Sequence, residues 1–170
     1  MSAEISAFPK RPGREAPRED RLVLDDYLPY RLSVASNAVS RLIARAYEDR
    51  FGLTIPQWRL IAVLAEDGAM TPGAAVARTV LDKVTISRAA QALVKRRLVA
   101  RVAHEEDGRS HRLSLTDEGL RLHAEIAPLA LAYEAALLSG LAPGEVAAVK
   151  LLLKRLEAAA VRLSGDAAGD

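Results

Sequence analysis

The residues of this chain best suited to chemistry are cations gathered around a turn. Asp107-Gly108-Arg109 is followed, after five residues, by Leu115-Thr116-Asp117-Glu118-Gly119. Asp-Gly supplies the positive φ angles of a tight hairpin turn. Thr116 can cap a following helix, and Asp117 and Glu118 suit that helix's positive end. The stretch Lys83 to Arg112 holds eight basic residues against three acidic ones, so it is +5 in a chain whose total is only +2. Charge concentrated this way suits phosphate binding, because attraction and counterion release act locally.

Competing chemistries fit less well. Ser110 and His111 are neighbours on an expected strand, so their side chains point to opposite faces and cannot act as nucleophile and base. His104-Glu105-Glu106-Asp107 offers ligand types at a solvated turn, without the spacing of a zinc site. Phosphate-loop, dinucleotide and metalloprotease signatures are absent, so no cofactor and no catalytic residue is assigned. Cysteine is missing, which removes disulfides, thiolate metal sites and thiol redox sensing from this chain. Uncharged segments reach about ten residues, short of the ~20 a spanning helix needs. The amino terminus lacks a basic-then-apolar signal pattern, so a cytoplasmic location with no membrane partner is expected.

The elements that must position the cations read as helices. Residues 1–22 are Pro-, Arg- and Glu-rich and read as a disordered tail, and 164–170 as a second flexible one. Between them Leu28, Leu32, Ala35, Val39, Leu42, Ile43 and Ala46 recur at helical spacing from about Asp25 or Asp26 to Arg50. Thr54-Ile55-Pro56-Gln57 reads as a capping box opening a helix with Trp58, Ile61, Ala62 and Leu64 inward. Asp67-Gly68 ends it, and Thr71-Pro72 opens a short third helix. Asp82 caps a fourth, Lys83 to about Arg97. On its projection Ile86, Ala89, Ala90 and Leu93 share one face, and Val84, Thr85, Arg88, Gln91, Ala92 and Lys95 lie on the other. Val99–His104 and His111–Leu115 form the hairpin. A fifth helix, expected to bend at Pro128, and a sixth from Ala142-Pro143 follow. The sixth carries Val146, Val149, Leu152, Leu153, Leu156, Ala160 and Leu163 as an apolar stripe that one subunit cannot readily cover.

The pattern Asp-x-Arg-x5-Leu-Thr-x2-Gly at 107–119 resembles the wing of the MarR family of winged helix-turn-helix regulators, and the resemblance extends over roughly residues 25 to 163. It implies a mainly α fold with a small β-hairpin wing: a winged helix-turn-helix lobe at 54–116 and a helical dimerisation lobe from 23–53 and 117–163. Two positions depart from the family. Ala74 stands where a glutamate often completes the third helix's cap, and Val80 where the turn commonly carries glycine. A β-branched residue is comfortable only at negative φ, so an altered turn is expected there.

The resemblance further implies a homodimeric repressor of a palindromic operator in double-stranded DNA. The fourth helix would enter the major groove, where Arg can pair with guanine, Gln with adenine, and Val or Thr methyls with thymine. Val84, Thr85, Ser87, Arg88, Gln91 and Lys95 are its candidate contacts; Arg109 would reach the minor groove and Asp107 would stabilise the wing. Five of seven aromatics lie between Tyr27 and Trp58, near where the family forms an effector pocket. Tyr30, Arg31 and Trp58 are candidates there for an aromatic carboxylate or its coenzyme A thioester. A ligand-binding or protein-interaction module that kept the fold without reading DNA is the alternative.

Overall fold

The computed structural model describes residues 21–103 and 111–166. Along them run α1 (Leu28–Phe51), α2 (Ile55–Asp67), α3 (Pro72–Thr79), α4 (Lys83–Lys95), β1 (Val99–Ala103), β2 (His111–Leu115), α5 (Asp117–Leu138) and α6 (Pro143–Asp166). The expected amino-terminal tail lies outside the described residues except for its last two positions. At the other end, α6 continues through Ser164 to Asp166, where a tail had been expected. α1 starts at Leu28 rather than at Asp25 or Asp26. The chain ahead of it makes turn bonds, Asp26 N–H to Val23 O at 3.1 Å and Tyr27 N–H to Leu24 O at 3.2 Å, and Pro29 suits a first helical turn because its missing N–H is not needed there.

Two compact units divide the chain, one ending at Leu42 and the other starting at Ile43. Among the described residues the first comprises the 24–26 turn and the opening part of α1. The second holds all the fully buried apolar side chains. Tyr47 near the end of α1 joins Leu53, Leu60, Ile61, Leu64, Ala75, Ile86, Leu93, Leu98, Val99, Leu113 and Ile126 in one cluster that runs from there to α5. In α2 the inward stripe is Leu60, Ile61 and Leu64. Trp58 and Ala62 are only half-buried, since the α2 face toward α4 and β2 lies at Leu60 and Leu64.

Local chemistry starts these helices much as their sequence indicates. Gln57 Oε1 accepts the Thr54 N–H at 3.0 Å, and Thr71 Oγ1 accepts the Ala74 N–H at 3.2 Å although Ala74 cannot reciprocate. Ala142 has no capping side chain of its own; Glu145 reaches back and accepts the Ala142 N–H at 2.7 Å. α5 runs unbroken through Pro128.

The α3–α4 turn corrects an expectation. Val80 adopts φ 55° and ψ 37°, the left-handed conformation of the usual glycine, so the turn keeps its geometry and the valine bears the strain. With 81% of its surface exposed, Val80 has little packing to offset that strain.

β1 and β2 pair antiparallel, with Val99 opposite Leu115 and Arg101 opposite Leu113. Met70 adds a bridge to the outer side of β2, exchanging two backbone hydrogen bonds with Leu113 at 3.0 and 2.7 Å. Behind the hairpin, α5 lies against the end of α4. Thr116 Oγ1 donates to Arg97 O at 2.7 Å and accepts from Gly119 N–H at 3.1 Å, while Thr116 N–H donates to Leu98 O at 3.1 Å. A Cβ on Gly119 would overlap the Leu98 carbonyl oxygen and crowd Leu115 Cδ2 at 3.1 Å.

Two substitutions should therefore shift stability in opposite directions in thermal or urea unfolding. Gly119→Ala should destabilise by about 1–3 kcal/mol, the scale of overpacking in a closed site. Val80→Gly should stabilise by up to about 1 kcal/mol, because about 1–2 kcal/mol of left-handed strain is relieved against roughly 0.5–1 kcal/mol of glycine entropy. A destabilised Val80→Gly would contradict the left-handed turn.

Candidate nucleic-acid interface

α4 is fixed at both ends. Asp82 accepts the Thr85 N–H at 2.8 Å and the Thr85 hydroxyl at 2.6 Å. The Thr85 hydroxyl first, and its backbone N–H second, hold the Asp82 carboxyl below the ordinary carboxylate range. Its capping contribution is therefore complete above that range and is lost only as pH falls through the lowered value. At the other end, Arg97 N–H bonds Val94 O at 2.9 Å and Leu98 N–H bonds Leu93 O at 3.0 Å. This is a Schellman motif in which Arg97 takes the left-handed position, at φ 58°.

Between these caps the two faces separate as the projection indicates. Ile86, Ala89, Ala90 and Leu93 are buried, whereas Val84, Ser87, Arg88, Gln91 and Lys95 are exposed. Val84 leaves 58% of its surface to solvent. Gln91 Nε2 sits 3.4 Å from Ser87 Oγ, one turn away. Thr85 differs from its companions: it is half-buried and its hydroxyl proton is committed to Asp82, which leaves mainly its methyl group for another partner. Asp107 and Arg109 lie outside the described residues.

The basic window is not uniformly available. Arg96 donates from Nη1 to Gly52 O at 2.8 Å and from Nη2 to Phe51 O at 2.9 Å. Arg112 donates to Ala69 O, tying β2 to the segment before α3. These are structural uses of guanidinium that charge counting cannot separate from DNA contact. Lys83 and Arg101, which the helical projection does not single out, are exposed. They line a cavity of about 470 Å³ together with Ser87, His111, Val76 and Ile86.

The three effector candidates are not brought together by any described contact. In the first unit Tyr30 is 39% exposed, and Arg31 pairs with Asp25 at 3.7 Å in an exposed geometry that contributes little. In the second unit Trp58 lies between two rings, Tyr47 at 5.1 Å between centroids and His123 at 5.7 Å, stacked with 15° between planes. Burial, and then the neighbouring Tyr133, pushes the Tyr47 hydroxyl above its usual range. Trp58 is absent from the lining of the cavity beside α4.

A model described as the MarR family matches residues 51–110. Among solved structures, a probable transcriptional regulator from Pseudomonas aeruginosa is similar at 30% identity over 79% of this chain and 99% of that one, with a TM-score of 0.71. A MarR family transcriptional regulator from Silicibacter pomeroyi DSS-3 is also 30% identical, covering 82% of this chain and 98% of its own, with a TM-score of 0.71. The PcaV transcriptional regulator from Streptomyces coelicolor, solved in complex with its natural ligand, is 26% identical over 82% of this chain and 98% of that one, with a TM-score of 0.68. No curated protein matches the sequence.

The exposed face of α4 can be tested through Arg88. In equilibrium binding to a duplex selected for tight association, Arg88→Ala should cost about 1–3 kcal/mol relative to random DNA, as loss of a bidentate base contact does. Equal weakening on every sequence would assign Arg88 to phosphate instead.

Proposed function

This chain belongs to the MarR family of winged helix-turn-helix transcriptional regulators, and we propose that it acts in the cytoplasm as a ligand-responsive repressor, binding a palindromic operator as a homodimer. The observation that carries this reading is the division of α4 into a buried apolar stripe and an exposed face bearing Val84, Ser87, Arg88, Gln91 and Lys95. A helix held by its other side can enter a major groove without unfolding the lobe behind it. In this reading residues 54–116 form the DNA-binding lobe, with Arg109 in the minor groove and Asp107 ordering the wing. The reading assigns no catalytic step to the chain.

Dimerisation is supported by α6, whose Val149, Leu152, Leu153 and Leu156, at helical spacing on one face, are 44%, 52%, 48% and 38% exposed. Apolar surface of this extent marks an interaction site, and a two-fold partner would bury it on both subunits at once. Regulation is proposed to work through an aromatic carboxylate or its coenzyme A thioester, with Tyr30, Arg31 and Trp58 as candidate contacts. Such a compound releases DNA only if it binds the DNA-incompetent arrangement more tightly.

Sedimentation across a concentration series tests assembly. The wild-type chain should be dimeric at tens of micromolar, and Leu153→Asp should shift it toward monomer and weaken operator binding, because an unpaired charge is costly to bury. A wild-type monomer would remove the two-fold mechanism, and a dimer without preference for any duplex would favour an interaction module. For the effector, Trp58 is the chain's only tryptophan. Its fluorescence should change saturably with an active aromatic acid, and the same compound should lower operator affinity. Binding with unchanged operator affinity would sink the switch.

A further inference from the structure

The first turn of α4 commits its hydrogen-bond donors to its own cap. Asp82 takes the Thr85 N–H at 2.8 Å and the Thr85 hydroxyl at 2.6 Å. An ionised carboxylate only accepts, so the hydroxyl proton points at Asp82 and away from any other partner. Thr85 is left with a methyl group and an oxygen that can only accept. Beside it, Val84 is 58% exposed and offers nothing but methyl groups. Ile86 packs inward, so the turn shows solvent Lys83, Val84 and part of Thr85. The Asp82 carboxylate, exposed at the same end, repels phosphate, which sets this end apart from the cations of the later turns.

The helix itself gives no reason for valine at position 84. A β-branched side chain loses rotamer freedom in a helix, and more than half of this one is left unpacked. In helix-turn-helix docking the N-terminal residues of the reading helix meet base edges. Thymine alone presents an apolar group in the major groove, its C5 methyl, whereas the other edges present donors and acceptors. Hydrogen-bonding side chains on the same face begin further along, at Ser87, Arg88 and Gln91. We propose that Val84 and Thr85 read thymine methyl groups, Thr85 through its own methyl and not through its hydroxyl, so that each half-site carries thymine opposite the start of α4. Adenine or cytosine there would leave an amino group desolvated against Val84, which adds discrimination. The inference rests on the reading of α4 as the major-groove helix and needs only the lobe that holds it.

The experiment uses the full chain and a duplex selected for tight association, in which each thymine is replaced in turn by deoxyuridine, a change that removes only the C5 methyl. In wild-type titrations at least one replacement per half-site should weaken binding about three- to fivefold, the effect of burying one methyl group. That penalty should shrink in Val84→Ala. Two variants separate the methyl of Thr85 from its hydroxyl. Thr85→Ser keeps the bond to Asp82 and gives up the methyl, so the penalty should shrink; Thr85→Val gives up the bond and keeps the methyl, so the penalty should persist. Each comparison is a ratio of two duplexes bound by one variant, so any loss of stability cancels. A wild type that prefers a sequence but shows no deoxyuridine penalty would overturn this inference alone, as would a penalty unchanged in Val84→Ala and Thr85→Ser. A penalty lost in Thr85→Val and kept in Thr85→Ser would assign Thr85 to its hydroxyl and overturn it too. A chain with no preference for any duplex would overturn the reading of α4 and this inference with it.

Discussion

The Leu98 carbonyl is the point on which the packing between α4, the hairpin and α5 depends. Leu98 closes the Schellman motif of α4 through its N–H and receives the Thr116 N–H on its oxygen. The same oxygen lies where a side chain on Gly119 would have to go. Three elements, the end of α4, the root of the hairpin and the first turn of α5, therefore meet within one peptide's reach. That close approach explains why Leu115-Thr116 must be followed by glycine at 119. Threonine caps α5 and bonds the Arg97 carbonyl at once, and only a residue without Cβ lets the helix begin there. The carboxyl half of the motif that first suggests DNA binding is thus structural: it fixes where the hairpin ends and α5 begins.

The same junction reassigns charge. Arg96, next to it, faces the end of α1, and Arg112 on β2 faces the Ala69 carbonyl. Guanidinium satisfies main-chain carbonyls well because it offers several donors in a rigid plane. The basic window is therefore divided by hydrogen bonding: Arg96 and Arg112 are bonded to main-chain carbonyls, while Lys83, Arg88, Lys95 and Arg101 are the exposed cations that the proposed reading turns toward DNA. Net charge measures the field of the lobe, but it does not identify which cations leave the protein surface to meet a ligand.

Much of this architecture was legible in the sequence where the determinants are local. The stripe of Ile86, Ala89, Ala90 and Leu93 follows from a period of 3.6, and Thr71, Asp82 and Thr116 announce their helices because a cap acts over three residues. What was illegible depends on distant partners. Nothing near Arg96 or Arg112 in the chain indicates carbonyls more than 40 residues away. Val80 takes a left-handed conformation that its own side chain disfavours, so its identity alone points to the wrong turn geometry. The stripe of α6 was recognisable as apolar, but periodicity cannot say what covers it. The aromatic cluster was likewise visible, while the stacking of Trp58 on His123 joins α2 to α5 across 65 positions and had no local signal.

The central claim is that arginines of one basic window divide between holding the lobe and reading DNA. It is tested most directly by following the Nε–Hε resonances of arginine side chains while operator duplex is added. Arg88 should shift strongly and become protected from exchange, whereas Arg96 and Arg112 should keep their free-protein environment. The reverse pattern, with Arg96 and Arg112 moving onto the duplex and Arg88 unperturbed, would contradict the account.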